Sequence, residues 1–430
     1  MSPAGAAGGR GDGDLDAVFR REAGRCTATL VRVLGDIDLA EDAVAEAFVE
    51  AARRWPSEGL PANPGAWITT TARNRAIDRL RRESGRDDRH RAAHRMAELR
   101  REEDDVDDPD MHDLDAYVDV VPDDQLRLMF LCCHPALSPD AQVALTLRLL
   151  GGLETTEIAH AFLVPEPTMA QRIVRAKRKL RDNHAPYRIP RAAELPDRLR
   201  TVLAAISLIF TEGHRASSGS ELVRVDLSEE AIRLGRVLVD LMPDEPEAVG
   251  LLALMLLTDA RRAARTDADG SLVALADQDR TRWDHDRIAE GHDLVRACLR
   301  RGRPGPFQVQ AAIAAVHADA ATAAATDWAQ IVALYDQLLV LRPDPVVGLN
   351  RAVAVAELDG PAAGLDALGP VDAERLDEYQ PFHAARADLL ARAGRGDEAR
   401  RAYDRAIELT TVDAERAFLV DRRAALGPEG

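Results

Sequence analysis

The stretch from Leu153 to Arg181, LETTEIAHAFLVPEPTMAQRIVRAKRKLR, constrains the fold more than any other. Ile158, Ala159 and Phe162 give a short first helix one apolar face. Leu163 and Val164 lead into a tight turn. Pro165 and Pro167 suit the start of a second helix, where a missing N–H costs little. Ile173, Val174 and Leu180 are expected to face inward. Arg172, Arg175, Lys177, Arg178, Lys179 and Arg181 are expected to face outward. Two helices and a turn with a basic outer side are what a DNA major groove accepts, with cations for phosphates and base edges. The alternative is a basic helix that merely faces solvent. Lys177 and Lys179 are the chain's only lysines; every other fixed cation is Arg.

Length and composition narrow the rest. The 430 residues suffice for two or three domains. Aromatic residues make up 4% and Ala is frequent, which favours close helix packing and an all-α fold. The net charge of −17 means that any polyanion must be met by a local basic surface. Cys26, Cys132, Cys133 and Cys298 make no disulfide framework, and the run Cys132-Cys133-His134 suits core packing better than zinc. No apolar run reaches the length of a membrane span, and the start MSPAGAAGGRGDGD lacks the apolar core of a signal peptide. A cytoplasmic protein with no membrane partner is expected, with residues 1–14 as a disordered tail. Phosphate-loop, G-x-S-x-G and H-E-x-x-H patterns are missing, so no catalytic residue, metal or cofactor is expected. Glu212-Gly213-His214 and Trp283-Asp284-His285 read as packing or loop segments.

Taken in order, residues 15–100 read as helices. Asp38, with Glu41 three residues on, approximates a capping box. The helix behind it has an apolar face of Ala40, Val44, Ala47, Phe48 and Ala51, and an acidic face of Glu41, Asp42, Glu46 and Glu50. Trp55-Pro56 is expected to open a loop lasting to about Gly65. Trp67–Ser84 then combines an aromatic ring, Thr69, Thr70, Thr71 and Asn74 with Arg73, Arg75, Arg79, Arg81 and Arg82. Single-stranded nucleic acid needs that mixture of cations, π-faces and polar groups, though a Trp anchored in a core beside solvated arginines reads equally well. Residues 101–124 hold twelve acids and no Lys or Arg from Glu102 onward, and read as a disordered linker. Helical order is expected again over 125–185, with Leu128, Met129 and Phe130 as apolar positions that need a packing partner. A helical module is expected over 186–300 and helical repeats over 301–430. The repeat signal is the likeness of Glu229–Leu257 to Trp328–Leu358 and to Gly396–Arg423. Leu341 and Leu409 correspond at a separation of 68 residues, twice the tetratricopeptide period of about 34. Stacked repeats present a concave face for a protein or peptide ligand.

Three motifs together resemble one family. DIDLAEDAVAEAFVEAARRW is similar to the polymerase-docking helix of bacterial sigma-70-type sigma factors of the extracytoplasmic-function group. WITTTARNRAIDRLRR resembles the segment that melts and reads their −10 element, and Leu153–Arg181 resembles their −35-reading helix-turn-helix. The resemblance spans residues 15–182. The remainder resembles a subgroup with a tetratricopeptide-like extension. By position, it implies polymerase contacts at Glu41, Asp42, Glu46 and Phe48. It implies −10 contacts at Trp67, Thr70, Arg73, Asn74, Asp78 and Arg79, and −35 contacts at Thr168, Gln171, Arg172, Arg175 and Lys177. Glu154, Pro167 and Ala170 depart from the family pattern. The implied partners are core RNA polymerase and promoter DNA, with no covalent chemistry by the chain itself. Two other readings compete: a helix-turn-helix regulator acting without polymerase, and a repeat scaffold.

Overall fold

The computed structural model describes residues 9–83, 121–162, 164–191, 193–214, 225–267, 271–371 and 374–426. These residues form eighteen α-helices and no strand. The chain divides into two compact units, Met1–Ala205 and Ile206–Gly430.

The first unit is built on α1 (Gly9–Leu34). From Glu22 to Val31 every residue of this helix except Arg25 is buried. A helix buried on all sides must be packed on all sides. α2 (Ile37–Glu58) and α3 (Pro64–Glu83) cover one part of it, and α4 (Val121–Cys132) and α5 (Pro139–Leu149) another. Gly24 makes the second approach feasible, because a Cβ there would lie 2.5 Å from the Leu150 carbonyl oxygen. Cys26 seals the first: its thiol accepts a hydrogen bond from Thr69 Oγ1 at 3.3 Å, and burial pushes its pKa up to about 12, which leaves it unreactive. α6 (Thr155–Ala161) and α7 (Glu166–Asp182) complete the unit, and α8 (Leu195–His214) contains the division point.

Several local expectations change. α1 already runs from Gly9, inside the stretch expected as a tail. The cap of α2 is Asp36, not Asp38. Gly35 turns the chain at φ +67°, and Asp36 Oδ1 then accepts the Leu39 N–H at 3.0 Å. Pro56 lies within α2 rather than opening a loop, because buried Trp55 holds the last turn and its carbonyl accepts the Gly59 N–H. The last four residues of the expected acidic linker belong to α4; residues 101–120 lie outside the described residues, as does Leu163. Leu128, Met129 and Phe130 already have their packing partners, being at most 1% exposed inside the first unit. Cys132 and Cys133 are buried there too, as core packing required.

The second unit is a relay of helix pairs. Its helices are α9 (Val225–Leu241), α10 (Pro246–Asp259), α11 (His285–Arg301), α12 (Pro306–Asp319), α13 (Trp328–Leu341), α14 (Pro345–Asp359), α15 (Pro361–Leu368), α16 (Gln380–Arg392), α17 (Gly396–Leu409) and α18 (Asp413–Ala424). One apolar cluster joins α10, α11 and α12 through Leu257, Val295 and Ala311. The next joins α12, α13 and α14 through Ile313, Ile331 and Val347. Phe382 and Leu349 then link α14 to α16, and Tyr403 and Leu419 close the far end. Each cluster joins near neighbours in sequence, the pattern of a stacked, quasi-one-dimensional array. The three mutually similar segments are the pairs α9–α10, α13–α14 and α17–α18.

Candidate nucleic-acid and polymerase interface

The two helices of Leu153–Arg181 form as α6 and α7. Pro165 and Pro167 occupy the cap and first turn of α7, where they sacrifice no helical bond. Met169, Ile173, Ala176 and Leu180 are its buried stripe. Val174, expected inside, is 63% exposed: it is one position past Ile173, about 100° round the helix.

The basic side is not uniformly free. Thr168, Gln171 and Arg175 are exposed, and Arg175 donates to Gln171 Oε1 at 3.2 Å. Arg172 is half-buried, 3.5 Å from Asp140. Lys177 points back into the unit instead of outward. Its ammonium donates to Asp38 Oδ1 at 2.8 Å and to Glu41 Oε2 at 2.5 Å. Arg181 donates to Asp38 Oδ2 at 2.9 Å, and Arg148 of α5 donates to Glu41 and, at 3.1 Å, to Glu154. Burial alone would lower the Lys177 pKa, but Glu41 and Asp38 outweigh it and hold the ammonium above the usual lysine range. Lys177 therefore stays charged at neutral pH, and the cluster joins the start of α2 to α5 and α7.

On α2, Glu46 is exposed, and Asp42 is exposed and accepts a hydrogen bond from Arg79 of α3 at 2.8 Å. Glu50 bonds Arg54 and Arg75. Phe48 faces the core, 7% exposed and edge-on to Phe19 at 4.6 Å, so it supports the acidic face from behind rather than meeting a partner on it. On α3, Thr70, Asn74 and Asp78 are exposed and Arg73 is half-buried. Trp67 is half-buried and edge-on to Trp55 at 5.4 Å. Ile68, Ala72, Ala76 and Ile77 are buried behind them. Of Arg81 and Arg82, only the backbone in α3 is described.

Three groups escaped the sequence argument. Asp124 is fully buried and accepts from Arg32 at 2.9 Å and Arg127 at 2.6 Å. Tyr187 donates to the carbonyls of Ala28 and Asp124 at 2.6 and 3.0 Å, tying the segment after α7 to α1 and α4. Arg148 had a visible signal, as the lone cation in the apolar run Val143–Leu150. Asp124 had none, being one acid among twelve.

Among the described residues no group of His, Cys, Asp and Glu could hold a metal ion, and no helix is long and apolar enough to cross a membrane.

Comparison with known proteins agrees with this arrangement. Residues 18–86 match Sigma-70 region 2, and residues 127–180 match Sigma-70 region 4. Residues 198–299 match a family of unknown function, DUF6596. No solved structure matches the chain. The uncharacterized protein R00370 of Rhizobium meliloti (strain 1021) is 44% identical over 409 residues, which cover 94% of each chain. The chain thus belongs to one family with that Rhizobium meliloti protein, and its first unit carries regions 2 and 4 of a sigma-70-type sigma factor, the regions of promoter recognition.

Proposed function

We propose that the chain is a sigma factor of the extracytoplasmic-function group that is closed on itself when free. It docks on core polymerase through Glu41, Asp42 and Glu46. It opens and reads the −10 element through α3, and it reads the −35 element through α7. One observation carries the closed form: Lys177, assigned to −35 DNA, is held by Glu41, assigned to polymerase. Glu41 also accepts from Arg148, and Lys177 also donates to Asp38, so the carboxylate is a shared node of the closed form. Polymerase that draws Glu41 toward itself loosens the hold on Lys177, and the two events are coupled through that shared contact. A helix-turn-helix regulator working without polymerase has no use for such an exchange, and a repeat scaffold has no use for the basic face at all. The second unit, read as a tetratricopeptide-like extension, regulates this exchange in the cytoplasm. Its three similar helix pairs support that reading.

Run-off transcription with purified core polymerase on selected genomic fragments is the direct test. The full chain should confer initiation at discrete sites that core alone does not use. A folded chain that binds such fragments yet never redirects active core would favour the plain regulator instead. Arg175→Ala, at the most accessible assigned cation of α7, should weaken binding to the selected −35 duplex by about 1–3 kcal/mol if it reads a base. If it meets a phosphate, it should flatten the salt slope by about one. Fluorescence anisotropy across a salt series distinguishes these outcomes, and no change in either quantity removes Arg175 from the interface.

A further inference from the structure

The second unit contains a cleft of about 540 Å³ where α10, α12, α13 and α14 meet. Leu254, Ile313 and Leu338 are among its apolar wall, and Thr258, Gln310 and Asn350 add neutral polar groups. The volume falls within the range of small-molecule sites, and the lining mixes apolar side chains with polar and charged ones.

Arg261 stands at the wall, just past the end of α10. Protein surrounds it on most sides, yet part of its surface remains open to the cleft. No carboxylate pairs with it among the described residues. Its neighbours among the arginines are all engaged. Arg262 bonds Glu229 at 2.9 Å, Arg342 pairs with Asp344 at 3.1 Å, and Arg265 donates to the His214 carbonyl. Arg280 donates to the carbonyls of His317 and Ala320, both at 2.6 Å, and lies 4.6 Å from the centre of the Trp283 ring. The cations Arg265 and Arg280 act against its charge, and the Tyr335 hydroxyl, also in the cleft wall, acts for it. Burial, and then the two cations, lower its pKa to about 10, which still leaves it charged at neutral pH. Burial, Arg261 and Arg280 likewise hold His317 neutral, with a pKa of about 4, so that its ring can offer a hydrogen bond but no compensating charge. A half-buried guanidinium beside other cations and without an anion is costly unless something supplies one.

We propose that this cleft binds a small organic anion, with its carboxylate or phosphate on Arg261 and its apolar body against Leu254, Ile313 and Leu338. Arg342 and Asp344 also line the cleft but pair with each other, which leaves Arg261 as its uncompensated cation. One such point fits one compact head group better than the extended peptide expected from a repeat groove.

The test is calorimetric titration of the full chain with benzoate, with phenyl phosphate and with benzamide as the uncharged shape control. At least one anion should bind one-to-one, roughly tenfold or more tighter than benzamide, and the pair identifies the preferred head group. Arg261→Gln should weaken anion binding by roughly ten- to a hundredfold, while Arg261→Lys retains most of it. The melting temperature of Arg261→Gln should hold or rise, because an unpaired charge is gone. If that variant does not fold, protection of Arg261 from phenylglyoxal by phenyl phosphate in the unaltered chain, read by mass spectrometry, reports the same contact. The proposal is overturned if neither anion binds at millimolar concentration, if benzamide binds equally well, or if Arg261→Gln binds like the unaltered chain without any protection of Arg261. None of these outcomes bears on regions 2 and 4, which the transcription assay tests separately.

Discussion

Asp124→Ala will lower the stability of the first unit by about 3 kcal/mol. The Asp124 carboxylate is completely buried and accepts from two guanidiniums on different helices, Arg32 of α1 and Arg127 of α4. Its backbone carbonyl also accepts from Tyr187. Removing one member of a buried ion pair typically costs about 3–5 kcal/mol, because the partner is left charged and unpaired. Here the two arginine side chains are 31% and 28% exposed, so water recovers part of the loss and the low end applies. For a unit of this size, about 3 kcal/mol corresponds to a fall in melting temperature of roughly 6–12 °C. Calorimetry on the full chain measures it. Arg32→Ala should cost less, since Arg127 remains to neutralise the acid. If the two losses are equal, Asp124 is not the shared centre of the node.

The way this node escaped the sequence shows which parts of the fold were legible. Helices were legible because their apolar stripes repeat every three to four residues: Ile68, Ala72 and Ala76 on α3, and Met169, Ile173, Ala176 and Leu180 on α7. The helix-turn-helix was legible because Pro165, Pro167 and the cations of α7 each serve a known local need. Pairings between segments far apart in sequence were not. Asp38 and Lys177 are 139 residues apart, Ala28 and Tyr187 159, and no local pattern links them. In sequence, the exposed sides of α2 and α7 look alike whether they face solvent, an external partner or each other, since charge on a helix surface looks the same in all three cases. Only the packing of α4 and α5 against α1 brings those surfaces together. The same packing explains why Leu128, Met129 and Phe130 were misread as needing a partner: α1 and α5 already provide it.

Neutralising the acids that hold Lys177 will strengthen DNA binding by the free chain. Asp38→Asn with Glu41→Gln keeps the shapes and removes two negative charges from the cluster. Lys177 then loses both of its anions and Arg181 its one, while Arg148 keeps Glu154. The Lys177 side chain is only 12% exposed, so it gains by moving into water. Movement of α7 away from α2 relieves Lys177 and Arg181. It also presents Lys177 and Arg181 to phosphates. Each additional phosphate contact steepens the slope of log affinity against log salt by about 0.9, so two cations predict a slope steeper by roughly two. The gain is therefore largest at low salt and shrinks as salt rises. Anisotropy titrations of −35 duplex over a salt series measure slope and affinity together, and small-angle scattering reports whether the unit has expanded. Adding Lys177→Gln to the double variant should return the slope by about one. If the double variant binds DNA with the slope of the unaltered chain, Lys177 is a structural anchor and the exchange between polymerase and promoter does not pass through Glu41.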